Sequence, residues 1–190
     1  MFSSLLLLIL EAVVGFFTLA LLGRFYMQWS RVSFRNQIGQ FLVALTDWIV
    51  IPVRRVVPGL FGLDLASVVL AWLAQTLLLT AELWLRGAAI LGAGALPALL
   101  VLGLFEVARV MIYLLIGVVI IAAILSWVNP YSPVAPLLHS LSRPFLRPVQ
   151  RIVPPIANID LSPLGALLVF QIALMLLASL RASILPVMAE

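Results

Sequence analysis

Four long apolar stretches constrain this chain more than any other feature. They cover residues 5–25, 65–85, 106–128 and 162–185. The hydrocarbon core of a bilayer is about 30 Å thick, and about 20 helical residues cross it. Because 65% of the residues are hydrophobic and only 9% are charged, a soluble domain of this size could not bury so much apolar surface. The sequence therefore predicts an all-α integral membrane protein with four transmembrane helices.

The distribution of arginine predicts how these helices are oriented. With four spans, residues 23–64 and 129–160 lie on the same side of the membrane and hold eight of the eleven arginines. Since arginine-rich loops stay in the cytoplasm, we expect a multi-pass protein of the bacterial inner membrane with both termini periplasmic. Residues 86–105 are apolar, rich in glycine and alanine and broken by Pro97. They are an alternative fifth span, which would place the two arginine-rich segments on opposite sides.

One proline-bracketed segment occurs twice in the chain. Residues 52–65 read PVRRVVPGLFGLDL and residues 148–161 read PVQRIVPPIANIDL, with seven identities in fourteen positions and no gap. Such self-similarity indicates an internal repeat. We therefore expect two tandem helical-hairpin repeats, residues 1–86 and 106–190, joined by an apolar connector at residues 87–105.

Each repeat carries a half-apolar segment between its two spans. Apolar residues recur at helical spacing over residues 38–49 in the first repeat and 134–145 in the second. This pattern predicts an amphipathic interfacial helix with its apolar face among acyl chains and its arginines near lipid phosphates. All the basic residues are arginine, whose guanidinium pairs with phosphate through two parallel hydrogen bonds. The residues expected to bind anionic phospholipid or a membrane partner are Arg54, Arg55, Arg147 and Arg151.

Charged residues inside the predicted spans are costly and therefore candidates for a structural or functional role. When the two repeats are aligned on the tryptophan at the end of the first span of each, Glu11 falls opposite Arg109. We expect these two side chains to form an interhelical ion pair. Glu106 is an alternative partner for Arg109 at a spacing of three residues, and Glu82 and Arg86 can pair at a spacing of four. A role for these groups in an ion or proton path is the functional alternative.

Two further pairs of polar residues are matched by the repeat. Asp64 and Asp160 each stand just before a returning span, where a carboxylate can cap free backbone N–H groups and complement the helix dipole. We expect both to be helix caps. Gln75 and Gln171 lie one in each returning span, and we expect them to form interhelical hydrogen bonds.

Several classes of function are excluded by the residues that the chain lacks. It contains no cysteine and a single histidine, His139, which alone cannot form a zinc or copper site. No nucleophile–base pair, phosphate-binding loop or pair of carboxylates in a cleft is evident. No basic module with interleaved aromatic residues is present to bind nucleic acid. We therefore expect no catalytic residue, no metal, no cofactor and no nucleic-acid partner.

Three motifs together resemble the YggT family, also called the YlmG type. They are RFYMQW at residues 24–29, the twin P-V-x-R-[VI]-V-P segments with a following D-L, and SWVNPYSP at residues 126–133. The resemblance implies two tandem copies of one membrane module. It links bacterial members to osmotic and cation homeostasis or, by genomic setting, to cell division, and plastid relatives to cytochrome b6f haem assembly and nucleoid organisation. No enzymatic activity is established for the family.

This chain departs from the family pattern at two places in its repeats. Asp47 stands where the second copy has Arg143, and Gln150 replaces the first arginine of the doublet at residues 54–55. The two halves are therefore not expected to bind one ligand in the same way.

The sequence favours a non-enzymatic scaffold or assembly factor that supports envelope, osmotic or ion homeostasis. Such a protein needs a stable bundle and an exposed cytoplasmic face, which the predicted topology provides. The alternative is a small ion channel or transporter for cation uptake. A pore in a chain of 190 residues would require a homo-oligomer, and a membrane-protein partner is the other expected association.

Overall fold

The fold consists of six α-helices in the part of the chain that the computed structural model describes. The described residues are 2–57, 59, 62–86, 95–129, 131–152 and 160–187. The helices are α1 (Phe2–Trp29), α2 (Gln37–Arg54), α3 (Leu65–Leu85), α4 (Ala95–Val128), α5 (Ala135–Ile152) and α6 (Ser162–Val187).

Four of these helices, α1, α3, α4 and α6, are long and apolar enough to cross a membrane. Many of their large apolar side chains face outward, among them Leu8, Phe16, Ile121, Leu168 and Met175. This outward apolar surface is expected where lipid replaces water as the solvent. The prediction of an all-helical protein with four helices of membrane-spanning length is therefore confirmed.

The third span begins earlier than the sequence predicted. Helix α4 starts at Ala95 rather than at Glu106, so residues 95–105 of the expected connector belong to a span and not to a separate fifth helix. Pro97 lies in the first turn of α4, where its missing N–H removes no helical hydrogen bond. Residues 87–94 of the connector lie outside the described part. With 34 residues, α4 is about 51 Å long and exceeds the thickness of the hydrocarbon core.

The spans pack in the order α1, α3, α4, α6, and α1 also contacts α4. Helix α2 packs on α1 and α3, and helix α5 packs on α4 and α6. We call the end of the bundle where α1 and α4 end and α3 and α6 begin the arginine-rich end, and the other the opposite end. Close approach of α3 and α4 depends on Gly103, because a Cβ there would collide with Thr76. Beside it, Trp72 Nε1 donates a hydrogen bond to the carbonyl of Leu100 at 2.7 Å.

Two clusters of buried apolar residues form the core. One joins α1, α4, α5 and α6 and consists of Tyr26, Met27, Leu115, Val119, Leu137, Leu141, Leu146, Ala166 and Phe170. The other joins α1, α2, α3 and α4 and consists of Leu21, Leu22, Val50, Ala66, Leu70, Ala71 and Val107. The leucines of α5 thus pack on the bundle, although the sequence analysis placed the apolar face of this segment among acyl chains. The Tyr26 hydroxyl donates to the carbonyl of Leu141 and links α1 to α5.

Candidate functional site

A buried network of ion pairs joins α1, α2 and α3 at the arginine-rich end. Arg24 Nη1 lies 2.5 Å from Asp47 Oδ1, and Arg24 Nε lies 3.2 Å from Asp64 Oδ2. Arg54 donates a second charge-assisted hydrogen bond to Asp64. The side chains of Arg24 and Asp64 are only 5% and 1% exposed. Two guanidinium groups therefore balance two carboxylates, and neither central charge is left uncompensated.

Neutral groups add hydrogen bonds to these charges, although Arg24 Nε and Asp64 Oδ1 are buried without a hydrogen-bond partner among the described residues. Arg24 Nη1 donates to Thr46 Oγ1 at 2.8 Å, and Ser67 Oγ donates to Asp64 Oδ2 at 3.0 Å. The backbone N–H of Asp64 donates to Gln28 Oε1 at 2.7 Å. Burial raises the pKa of Asp64, but hydrogen bonds from Arg54 and Ser67, with the charges of both arginines, hold it below its usual value overall.

The two aspartates predicted to be helix caps behave differently. Asp64 occupies the N-cap position of α3 but makes no side-chain cap hydrogen bond, because its carboxylate binds arginine instead. Asp160 Oδ1 accepts a hydrogen bond from the backbone N–H of Ser162 at 2.9 Å, and its Oδ2 accepts one from Gln150 at 2.9 Å. Burial raises the pKa of Asp160, but these hydrogen bonds lower it below its usual value overall.

The four arginines predicted to bind anionic lipid are not equivalent. Arg54 is committed to Asp64, although its side chain is 41% exposed. Arg55, Arg147 and Arg151 are exposed and make no ion pair within the described residues. The structure thus removes Arg54 from the set of guanidinium groups that are free to bind a ligand.

A polar cavity of about 360 Å³ lies between the spans nearer the opposite end. Glu106 is its central group, because it lies 2.7 Å from Arg109 and also binds Arg181. The charged and amide groups that line the cavity are Glu11, Gln75, Glu82, Glu106, Arg109 and Arg181.

Glu11 and Arg109, which were expected to pair, both line this cavity. They form no ion pair with each other among the described residues. Arg109 pairs with Glu106 instead, at the three-residue spacing that the sequence offered as the alternative. Glu82 lies 4.0 Å from Arg86. Spacing within α4 thus brings Glu106 to Arg109, while Glu11 lines the same cavity.

The two matched glutamines also have different environments. Gln75 is buried, and its Nε2 donates to Thr18 Oγ1 at 3.0 Å, which is an interhelical hydrogen bond between α3 and α1. Gln171 is exposed on α6. Gln75 lies midway along α3 and lines the cavity, so the polar space reaches about the middle of that span.

An apolar layer separates the cavity from the ion-pair network. It contains Leu21, Leu22, Leu70 and Ala71, which are all buried. A charged solute that entered the cavity would have to cross this layer to reach Arg24. Among the described residues, no group of three or more His, Asp or Glu side chains is placed to hold a metal ion.

Arg24 and Arg181 are the important site residues for which the sequence predicted no contact, since arginines outside the predicted sites were used only to orient the helices. A signal was present in the comparison of the repeats. The position matching Arg24 in the second half is Ala122, and the positions matching Asp47 and Arg54 are Arg143 and Gln150. The three residues of the first half that form the network are thus the charges that the second half lacks at the matched positions.

Comparisons with known proteins find one family and several relatives that cover most of the chain. The family model described as CCB3/YggT matches residues 3–85 and 101–181. An uncharacterized protein of Pseudomonas aeruginosa is 34% identical over 170 residues, which cover 88% of this chain and 85% of that protein. The uncharacterized protein YggT of Escherichia coli K12 is 32% identical over 165 residues, covering 86% and 84%. No solved structure matches. The chain belongs to the CCB3/YggT family.

Proposed function

We propose that this chain is a non-enzymatic inner-membrane scaffold or assembly factor that supports envelope, osmotic or ion homeostasis. The observation that carries the proposal is the use of its most buried charges. Arg24 and Asp64 pair across α1 and α3, and Glu106 pairs with Arg181 across α4 and α6. Such contacts hold helices in a fixed arrangement. A rigid bundle with an exposed polar face is what a scaffold requires.

The proposed topology places the arginine-rich end in the cytoplasm and both termini in the periplasm. Three exposed aromatic residues near this end support an interfacial position for it, since tryptophan and tyrosine concentrate at membrane–water boundaries. Trp48, Trp127 and Tyr131 are 69%, 68% and 95% exposed. Helices α2 and α5 would then lie in the cytoplasmic interface, with their arginines at the depth of the lipid phosphates.

The proposal includes a tandem repeat, which three features support. Helix α2 packs on both spans of the first half just as α5 packs on both spans of the second. The ranges matched by the family model divide the chain into two similar halves. Arg54 donates to Asp64, and Gln150 donates to Asp160 in the matched position of the second half.

Reconstitution tests the scaffold proposal directly. We expect purified wild-type protein in liposomes to give no potassium, sodium or proton flux above that of empty liposomes. In a strain that lacks the gene, we expect the wild type and Glu82→Gln to restore growth at high osmolarity equally. Arg24→Gln should fail because it removes the partner of buried Asp64. Robust flux that depends on the cavity glutamates would contradict the proposal.

Ion transport is the second candidate, and the polar cavity is the observation that favours it. Glu11 and Glu82 line the polar cavity, which reaches the middle of α3 at Gln75, and carboxylates inside a membrane mark ion paths in many transporters. A pathway would require the apolar layer to open or an oligomer to complete it. Flux lost in Glu11→Gln and Glu82→Gln, but retained in the conservative Gln75→Asn, would favour this candidate.

A further inference from the structure

Two adjoining clefts flank one face of α5 at the arginine-rich end. The first, of about 480 Å³, lies between the α1–α2 loop and α5 and is lined by Arg31, Arg143 and Arg147. The second, of about 490 Å³, shares Arg143 and Arg147 and adds His139. We call the two together the arginine cleft. Their lining residues include no acidic side chain, while the hydroxyls that line the first cleft belong to Ser30, Ser33 and Ser140.

No acidic side chain lines the arginine cleft, and Asp160 lies beyond Gln150 at its edge. The three aspartates of this end are all engaged elsewhere: Asp47 and Asp64 by arginine, and Asp160 by Ser162 and Gln150. In the described part of the chain, none of the three cleft arginines forms an ion pair.

The arrangement of the arginines concentrates this charge. Arg143 and Arg147 are four residues apart on α5, so their side chains lie on one face, where like charges repel. Arg31 approaches the same face from the α1–α2 loop. An arrangement of this kind is stabilised when an anion binds among the guanidinium groups.

The backbone at Arg31 gives a second, independent indication. Helix α1 ends with Val32 N–H bonded to the Met27 carbonyl and Arg31 N–H bonded to the Gln28 carbonyl, both at 2.9 Å. This is the Schellman pattern, in which the residue at the position of Arg31 adopts a left-handed conformation and is usually glycine. Arg31 has φ of 54°. Backbone stability would favour glycine here, so the reason for arginine lies in its side chain.

We propose that the arginine cleft binds the phosphate group of an anionic phospholipid. Arg31, Arg143 and Arg147 would surround the phosphate from two elements, and the exposed Ser33 hydroxyl would donate a further hydrogen bond. A lipid is the favoured source because exposed Trp29 lies next to the cleft segment and tryptophan concentrates at head-group depth. The site shares only Arg147 with the four arginines predicted from sequence, and it rests on the proposed membrane topology.

Lipid retention by the purified protein tests this site. Native mass spectrometry in detergent would measure binding of phosphatidylglycerol and cardiolipin against phosphatidylcholine. We expect wild type to prefer the anionic lipids and each of Arg31→Gln, Arg143→Gln and Arg147→Gln to weaken their binding about fivefold. Arg35→Gln is the matched control, because this residue is exposed, loses the same charge and lies outside the cleft.

Each outcome of this experiment decides the proposal. An equal loss in Arg35→Gln would show a diffuse electrostatic attraction and overturn the site. Binding of inorganic phosphate without any preference for anionic lipid would assign the cleft to a free anion and overturn the lipid. Ion flux in liposomes would refute the scaffold proposal without changing lipid retention, so the two failures are distinguishable.

A second inference comes from the exposed amide of Gln171. This residue lies about 14 Å along α6 from Ser162, near the middle of the span, and its side chain makes no hydrogen bond within the described residues. Leu164, Leu168 and Met175 are 62%, 63% and 73% exposed. Together with Gln171, these residues are spaced by four, three and four positions along α6. This is the spacing of the contact face in a left-handed pair of helices.

We infer that α6 pairs with α6 of a second copy of this chain through this seam. An amide carries both a donor and an acceptor, so two Gln171 side chains related by a two-fold axis satisfy each other. Lipid offers the amide of Gln171 no hydrogen bond, whereas the Gln171 of a second copy would supply one. The commitment to a second copy follows from this self-complementarity.

Cysteine cross-linking in membranes tests the pairing, since the chain has no cysteine of its own. We expect Leu168→Cys to form a disulfide-linked dimer and Leu8→Cys, equally exposed on α1, to form none. Adding Gln171→Leu to Leu168→Cys should reduce the dimer several-fold. Absence of dimer at residue 168, or equal dimer with and without Gln171, would overturn the inference. A cross-link to another protein in place of a dimer would do so as well.

Discussion

Replacing Arg31 by glycine should stabilise the fold and weaken the proposed lipid site at the same time. A residue with a Cβ loses about 1–2 kcal/mol in the left-handed conformation that Arg31 adopts. Glycine avoids this loss, but it destabilises the fold by about 0.5–1 kcal/mol because it gives up more conformational freedom on folding. The difference predicts that Arg31→Gly is about 0.5–1 kcal/mol more stable than Arg31→Ala, because alanine keeps the backbone strain.

The assay combines an unfolding titration with lipid retention. Unfolding by SDS in mixed micelles, followed by circular dichroism, measures the free energy, and native mass spectrometry measures bound anionic lipid. Both variants should lose lipid equally because both lack the guanidinium group, while only Arg31→Gly should gain stability. If Arg31→Gly is no more stable than Arg31→Ala, the backbone argument is refuted. If Arg31→Gly retains lipid as wild type does, the side chain has no role in the cleft.

Three further predictions concern the bundle. Arg24→Gln should lower the free energy of unfolding by about 1–3 kcal/mol, because Asp47 loses its arginine partner and buried Asp64 keeps only Arg54; an SDS titration measures this, and a loss below about 1 kcal/mol would contradict it. Because the pKa of Asp64 is lowered in the folded state, this carboxylate stabilises the fold above the ordinary pKa of 3.8, and the stabilisation is lost as the pH falls through the lower folded pKa. In acid titrations, the free energy of unfolding should therefore depend less on pH in Asp64→Asn than in the wild type. Gly103→Ala should cost about 1–3 kcal/mol, because its Cβ meets Thr76. Gly117→Ala in the same helix is its control, since a Cβ there meets nothing within 4 Å, and equal effects of the two substitutions in the same titration would refute the contact.

The number and character of the spans could be predicted because apolar length is a local property of the sequence. Helix α3 begins and ends where its apolar run does, at residues 65 and 85. The start of α4 could not be predicted in the same way, since Pro97 and its glycine neighbours indicated an interruption. Proline in a first helical turn is tolerated, and only the structure shows that Pro97 occupies such a turn.

Partners within the candidate site were harder to predict because they depend on how each helix is rotated about its axis. The pairing of Glu106 with Arg109 follows from their spacing within one helix, whereas the contact of Glu106 with Arg181 joins α4 to α6. Repeat symmetry suggested Glu11 for Arg109, but symmetry fixes depth and not rotation. Sequence reasoning therefore found the charges of the cavity and missed which of them are in contact.

The arginine-rich end shows how two similar halves acquire different roles. In the first half, Arg24, Asp47 and Arg54 surround Asp64 and form a neutral network that fixes three helices. The matching positions of the second half are Ala122, Arg143 and Gln150.

These substitutions decide where the positive charge goes. Asp160 accepts a hydrogen bond from neutral Gln150 and needs no arginine. Arg143 stands where the first half has Asp47, and it lines the cleft instead of pairing inside the bundle. Since an aspartate at position 143 would supply a counter-charge to Arg147 one turn away, Arg143→Asp should neutralise the cleft more completely than Arg143→Gln. Arg24 and Arg54 of the first half thus stabilise the bundle, while Arg143 and Arg147 of the second half remain available to a ligand.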